Sequence, residues 1–229
     1  MRARGTPSPS YGAYAGEVTT VLLTAFEPFA SADRNPSWEA ARTVAEEWAG
    51  DATVVAVCLP VEFEGATVAI TRALDTHRPD VVLALGVAEG RTAITPERIA
   101  INVDDARIAD NGGARPVDIP VVEGAPDGLF STLPVKAIVQ AIRDAGIAAE
   151  LSASAGTYVC NHVFFTLQHA LRDASARSGF IHVPASPEMR QADVGPTMEQ
   201  TAITAGVRIA VETALTHATD VVVSEGTVH

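Results

Sequence analysis

The stretch "AGTYVCNHVFF", residues 155–165, sets a cysteine two positions ahead of a histidine, where an extended run gives way to helical periodicity. A thiol at the first turn of a helix meets unpaired backbone N–H groups and the positive end of the helix dipole. Both favour the thiolate and predict a lowered pKa for Cys160. The competing reading is a small buried hydrophobe, the commonest fate of a free cysteine. Cys58, inside the apolar run "ATVVAVCLPV" (52–61), reads as core. With only two cysteines and no C-x-x-C, neither a disulfide framework nor a structural zinc site is expected.

A nucleophilic thiol needs a base, and the chain has six histidines. His162 lies at i+2 from Cys160, and residues two apart on a helix do not face each other. His169 is roughly 13 Å up the helix axis at 1.5 Å per residue, out of hydrogen-bond reach. His77 precedes "RPD" at a helix end and reads as surface, and His217 and His229 belong to the C-terminal end. His182 remains, in "GFIHVP" (179–184), near the C-terminal end of a short strand, where open α/β sheets place their sites. The base is usually oriented by a third group. In "ERIAINV" (97–103), extended alternation puts Glu97 on the same face as Ile99, Ile101 and Val103. A carboxylate on an apolar face must be paired or neutral. A histidine partner and an ion pair with Arg91 are both open.

Two other stretches bear on a pocket. "TAFEPFASADRNPS" (24–37) presents Phe26 and Phe29 in the loop after a first strand, as pocket walls or as aromatics tucked under the core. "GVAEGRT" (86–92) is a glycine-bearing turn after a buried strand. It lacks G-x-G-x-x-G and a Walker lysine, so backbone N–H groups offered to a substrate carbonyl suit it better than phosphate binding.

Positioning these residues falls to alternating strands and helices. "VTTVLLTAF" (18–26), "ATVVAVCLPV" (52–61) and "DVVLALGV" (80–87) are near-continuous apolar runs, as expected of strands buried on both faces of a parallel sheet. "ELSASAG" (150–156) and "GFIHVP" are weaker strand candidates. Helices are predicted over 35–48, 64–77, 134–146, 161–174 and 196–215, with Asn35 as an N-cap, Pro36 at the first helical position and Gly146 closing the third. The architecture these imply is one three-layer α/β/α sandwich, a mostly parallel twisted sheet with helices on both faces. Residues 1–17, rich in Pro, Ser and Gly, read as a flexible arm, 18–216 as a single domain and 217–229 as a tail. Residues 104–131 carry Asp, Gly and Pro without a sustained period, which leaves a lid and a subunit contact both open.

Bulk properties narrow the function classes. The 229 residues carry a formal net charge of −12, with 47% hydrophobic and 19% charged residues. That is a globular composition with no basic face for nucleic acid or an anionic membrane. No apolar run reaches the roughly 18 residues of a membrane helix, and no hydrophobic stretch follows the basic N-terminus as a secretory signal would require. A reducing, cytoplasmic location is expected.

Taken together, "TAFEPF…NPS", "LPVEF", "GVAEGRTAITPERIAIN", "DARIADNGG", "LSASAGTYVCN" and "GFIHVP" resemble, in order and over about residues 20–215, the cysteine-type pyroglutamyl peptidases (pyrrolidone-carboxylate peptidases). The resemblance implies removal of an N-terminal pyroglutamyl residue from blocked peptides through an acyl-enzyme, without metal or cofactor. It places the nucleophile on Cys160, the base on His182 and the orienting acid on Glu97. It also places an aromatic clamp on Phe26 and Phe29, a pocket asparagine on Asn35 and an arginine near the oxyanion or thiolate on Arg91. Homodimers or homotetramers are implied. Departures from the family pattern are Ala25 and Ala30 where glycines are usual, expected to narrow the pocket or shift its loop, and Glu89 where a small residue or proline is usual. A related cysteine amidase with altered lactam or amide preference and a catalytically silent pocket protein are the competing readings.

Overall fold

The computed structural model describes residues 18–29, 32–189 and 195–226. The proposed arm 1–17, Ala30 and His229 lie outside them.

The first half of the chain folds as β1 (Thr20–Phe26), α1 (Pro36–Glu46), β2 (Thr53–Leu59), α2 (Phe63–His77) and β3 (Val81–Val87). Three short strands follow, β4 (Thr95–Pro96), β5 (Ile99–Ile101) and β6 (Gly128–Phe130), then α3 (Val135–Asp144), α4 (Val159–Leu171), β7 (Arg177–Val183) and α5 (Gln200–Thr216). The main sheet has the order β2-β1-β3-β7-β4. Its first four strands are parallel, and β4 runs antiparallel to β7. One apolar cluster joins α1, α3 and α5 to one face through residues such as Leu23, Leu83 and Ile181. A second joins α2 and α4 to the other face through Leu22, Val82 and Phe180. The α/β/α sandwich expected from the alternating pattern is what forms.

The capping chemistry follows the sequence. Asn35 caps α1, its Oδ1 accepting from the Ser37 amide at 3.1 Å, with Pro36 in the first turn. Gly146 takes φ +79 after α3, a conformation in which a Cβ would be strained. The N-terminus of α3 has no cap of its own, because it follows Pro134. Asp220 supplies one from the tail, accepting from the amides of Lys136 (3.1 Å) and Ala137 (3.0 Å). The ion pair of Arg143 with Glu225 at 3.0 Å holds the same segment along the helix.

Four expectations need correction. β2 is an edge strand, not an interior one, because among the described residues only β1 pairs with it. Cys58 on it is accordingly exposed, not core. The stretch 150–156 makes no strand: its contribution is the isolated bridge Glu97↔Ser152, next to the bridge Ile94↔Ala149. The last helix starts at Gln200, since Pro196 and the extended Glu199 precede it. The irregular 104–131 segment is tied down by the bridge Asp104↔Ile119 and by β6, which pairs antiparallel with β5.

Candidate active site

β1 has β2 on one side and β3 on the other, so the connections leave in opposite directions and open a crevice at the C-terminal strand ends. A cavity of about 390 Å³ occupies it. Its walls come from Phe26 at the end of β1, Phe29 and Asn35 in the following loop, Val87 at the end of β3 and Glu89 just after it. Asp105, Arg107 and Ile108, Tyr158 to Cys160 at the start of α4, and Met189 also line it.

Cys160 is the second residue of α4 and opens onto this cavity. Its sulfur packs against Gly86 of β3, where an added Cβ would lie 3.0 Å from Sγ. Gly86 is the register partner of His182 on the neighbouring strand β7, so thiol and imidazole share one face of the sheet. Glu97 reaches His182 because β4 pairs with β7 and the Glu97 amide donates to the Phe180 carbonyl at 2.8 Å. The carboxylate is fully buried, and its Oε1 lies 2.7 Å from His182 Nδ1 and 2.7 Å from Arg91 Nη1. Both pairings open from sequence are therefore made, by the same oxygen.

The hydrogen bonds assign the protons. A carboxylate only accepts, so His182 Nδ1 carries the hydrogen and Nε2 keeps its lone pair. Burial lowers the His182 pKa below its ordinary 6.5, against the hydrogen bond and charge of Glu97, with Arg91 adding to the fall. The imidazole is thus neutral at neutral pH. The Cys160 thiol departs from expectation. Burial, helped by Glu97, pushes it up to about 12, although Arg91 and its own backbone N–H favour the thiolate. Removing sulfur from water costs the anion more than the helix start returns. Both shifts favour a resting thiol and imidazole over thiolate and imidazolium, although Cys160 itself is half-buried at the cavity wall.

The pocket residues have distinct surroundings. Phe26 packs on Phe180 with ring centres 6.4 Å apart, and Phe29 on Tyr158 at 5.7 Å. Asn35 donates through Nδ2 to the Glu27 carbonyl at 3.0 Å, so it pins the Phe26–Phe29 loop as well as capping α1. Arg91 lies outside the cavity lining. Its guanidinium is held by Glu97, Thr95 and, at 3.1 Å, the Ser154 carbonyl. Its charge reaches the thiol. Ala25 is buried with α1 residues on the face opposite the cavity, so it does not narrow the pocket. Glu89 does face the cavity.

Sequence reasoning missed Tyr158, Met189 and Gly86. Tyr158 packs at a tilt on Phe29 and edge-on with Phe63, and its hydroxyl donates to the Ala109 carbonyl at 3.0 Å. Burial, with Asp110 and Cys160, pushes its phenol up to about 12, so it stays a neutral donor. Gly86 had a signal, a glycine inside an apolar strand. A Cβ there would lie 2.9 Å from the Phe180 ring and 3.0 Å from Cys160 Sγ. Phe180 is fully buried between Phe26, Phe164 and His182 and has nowhere to retreat. Gly86→Ala should therefore displace the thiol, lowering kcat by about 10- to 100-fold while costing about 1–3 kcal/mol in urea unfolding. Wild-type kcat in the folded variant would remove the packing role assigned to this glycine.

A family model described as pyroglutamyl peptidase matches residues 19–217. Among similar proteins, the pyrrolidone-carboxylate peptidase of Cupriavidus necator is 49% identical over 214 residues, 92% of this chain and 99% of its own length. That of Clavibacter michiganensis is 48% identical over 208 residues, 90% of this chain and 98% of its own. The solved pyroglutamyl peptidase I of Bacillus amyloliquefaciens superposes with a TM-score of 0.87 at 38% identity, over 91% of this chain and 100% of that one. The pyrrolidone carboxyl peptidase of Thermococcus litoralis does so with a TM-score of 0.83 at 38% identity, over 87% and 94%.

Proposed function

The chain belongs to the pyroglutamyl peptidase family and is a cysteine peptidase that removes an N-terminal pyroglutamyl residue, and we propose that Cys160 is its nucleophile, His182 its general base and acid, and Glu97 the carboxylate that orients the imidazole. The observation that carries this assignment is the single oxygen of Glu97 that fixes the His182 tautomer, with the imidazole on the sheet face where Sγ of Cys160 packs.

A peptide blocked by pyroglutamate has no terminal ammonium. The neutral lactam ring fits between Phe26 and Phe29, with its N–H and C=O bonded to backbone groups of the cavity wall. Cys160 attacks the carbonyl joining the ring to the next residue as Nε2 of His182 takes the thiol proton. That proton then passes to the departing amine, and His182 next activates water to release pyroglutamate from the thioester. The amides of Val159, Cys160 and Asn161 precede the first helical bond of α4, from the His162 amide to the Tyr158 carbonyl at 3.0 Å. They are the oxyanion donors of this scheme. Arg91 acts on the Glu97 side, balancing the buried carboxylate, and Asn35 holds the aromatic loop. Glu97, His182 and the thiol complete this scheme without a metal or cofactor.

The test is chromophore release from pyroglutamyl-, prolyl- and alanyl-anilides. Turnover of the pyroglutamyl compound is expected to exceed that of the prolyl one by about 10⁴, because a site built to bond the lactam groups is left with unpaired polar atoms by a ring lacking them. Comparable rates would favour an amidase of altered preference, for which Glu89 in the cavity wall is the relevant departure. The acidic chain and its two free cysteines fit a reducing cytoplasm, and no helix among the described residues is long and apolar enough to cross a membrane. A homodimer or homotetramer is part of the same reading, checked by light scattering.

A further inference from the structure

A second buried histidine–carboxylate pair lies one helical step from the nucleophile. His162 Nδ1 is 2.7 Å from Asp104 Oδ2, and its Nε2 is 2.6 Å from Thr67 Oγ1 on α2. His162 and Asp104 are 8% and 6% exposed, and the second oxygen of Asp104 is buried without a partner. Thr67, His162 and Asp104 have the spacing of a hydrolytic triad. Thr67, however, lies outside the lining of the substrate cavity, and Phe63 closes edge-on over the ring at 5.4 Å. The arrangement holds something in place instead.

What it holds is the cavity wall. Asp104 begins the run Asp105–Ala106–Arg107–Ile108, three of whose members line the cavity. The far end of this run is fastened separately, where Asp110 accepts from the Phe63 amide at 2.9 Å and the Asn111 amide donates to the Val61 carbonyl at 2.9 Å. The near end rests on the first turn of α4. Asn161 bonds Ile101 and Val103, His162 bonds Asp104, and Thr157 exchanges two bonds with Asp105. Two of these tethers carry a buried carboxylate: Asp110 accepts a backbone amide on each oxygen, from Phe63 and Ala114, whereas Asp104 has His162 alone as its side-chain partner. With one oxygen already unpartnered, its compensation comes from His162, and without the ring the carboxylate would have to leave for water. With either member of the pair gone the side-chain tether to α4 is lost, and Asp104 keeps only its backbone bridge to Ile119 within the same segment, so Asp105–Ile108 can move outward. Cys160, held next door by Asn161 and packed on Gly86, would stay.

We propose that His162 and Asp104 are positioning residues that anchor the Asp105–Ile108 wall onto the helix bearing Cys160, and so set affinity for the blocked peptide without touching it. This rests on the reading of the cavity as the peptide site. The thiol and its base are untouched, so the effect belongs in KM and not in kcat.

The experiment compares wild type, His162→Leu and His162→Asn with a pyroglutamyl anilide, alongside amide hydrogen exchange over residues 105–110. The leucine variant is expected to raise KM about tenfold with kcat within about threefold, and to speed exchange in that segment. The asparagine amide, placed where Nδ1 was, keeps the bond to Asp104 and should bring KM back to within about threefold of wild type. If His162→Leu does not fold, the double variant Asp104→Ala/His162→Leu removes the buried charge with its partner and should show the same rise in KM. An unchanged KM, a fall confined to kcat, or failure of asparagine to rescue would overturn the proposal. Absence of turnover in wild type would instead count against the peptidase reading. Exchange over 105–110 would still decide the anchor, faster in the leucine or double variant supporting it and unchanged exchange refuting it.

Discussion

Cys160→Ser is expected to lower kcat/KM for a pyroglutamyl anilide by about 10⁴-fold or more, with the folded structure and KM little changed. The reason lies in the proton inventory. Burial holds the Cys160 thiol near 12 and lowers His182 below its ordinary value, so even sulfur gives up its proton only as the carbonyl is attacked. A hydroxyl is a far weaker acid, and the same imidazole cannot take its proton at a useful rate. The wild-type pH profile follows with a definite sign. With His182 as the proposed base, activity would require its neutral form, so kcat/KM should fall as pH drops through a midpoint below 6.5 and stay level from neutrality upward. Alkylation of Cys160 by a neutral haloacetamide should be slow at pH 7 and rise as the solution becomes alkaline. Rapid alkylation at pH 5 would show a preformed thiolate–imidazolium pair and refute this inventory. Peptide mapping is needed to separate it from Cys58, which is exposed.

Glu97→Gln should lower kcat by about 10³- to 10⁴-fold at nearly constant KM, the size seen when a base loses its orienting carboxylate with the geometry intact. The side chain has the same shape, but its charge is what both neighbours use. Oε1 accepts from His182 Nδ1 and Arg91 Nη1 at 2.7 Å each. An amide that turns its NH₂ toward His182 would require Nδ1 as acceptor, moving the hydrogen to Nε2 and leaving no lone pair for the thiol proton. The hydrogen bond and charge of Glu97 also hold the His182 pKa up against burial. Without them the residual activity should show its acid limb at still lower pH. A variant within tenfold of wild-type kcat would mean that Glu97 serves Arg91 and not His182.

How much of this was legible in the sequence depends on the range of the interaction. Local patterns carried far. Strict apolar runs placed β1 and β3, Asn35–Pro36 marked a helix start, and Gly146 marked an end. The rule that i and i+2 do not share a helix face separated His162 from Cys160, and elimination left His182, which does share a sheet face with it. What local patterns do not contain is the neighbour. The run 52–61 is as apolar as an interior strand, yet only the strand order shows that no described strand pairs with its outer edge. His162 looked incidental because its partner Asp104 is 58 residues away. The thiol's acidity was misjudged for a related reason: a helix start is visible in sequence, whereas the packing of Gly86 and Phe180 around the sulfur is not.

That packing has a consequence for durability. Oxidants such as peroxide attack thiolates, not thiols, and the climb to sulfinic and sulfonic acid begins there. An enzyme that stores its nucleophile as an ion pair is exposed to this damage between turnovers. In the mechanism proposed for Cys160 and His182 the sulfur keeps its proton until a substrate occupies the cavity, so the reactive form would exist only for the duration of a chemical step. The same desolvation that opposes the thiol's ionisation should make the idle enzyme a poor target for oxidative inactivation, checked by the activity that survives peroxide treatment without substrate.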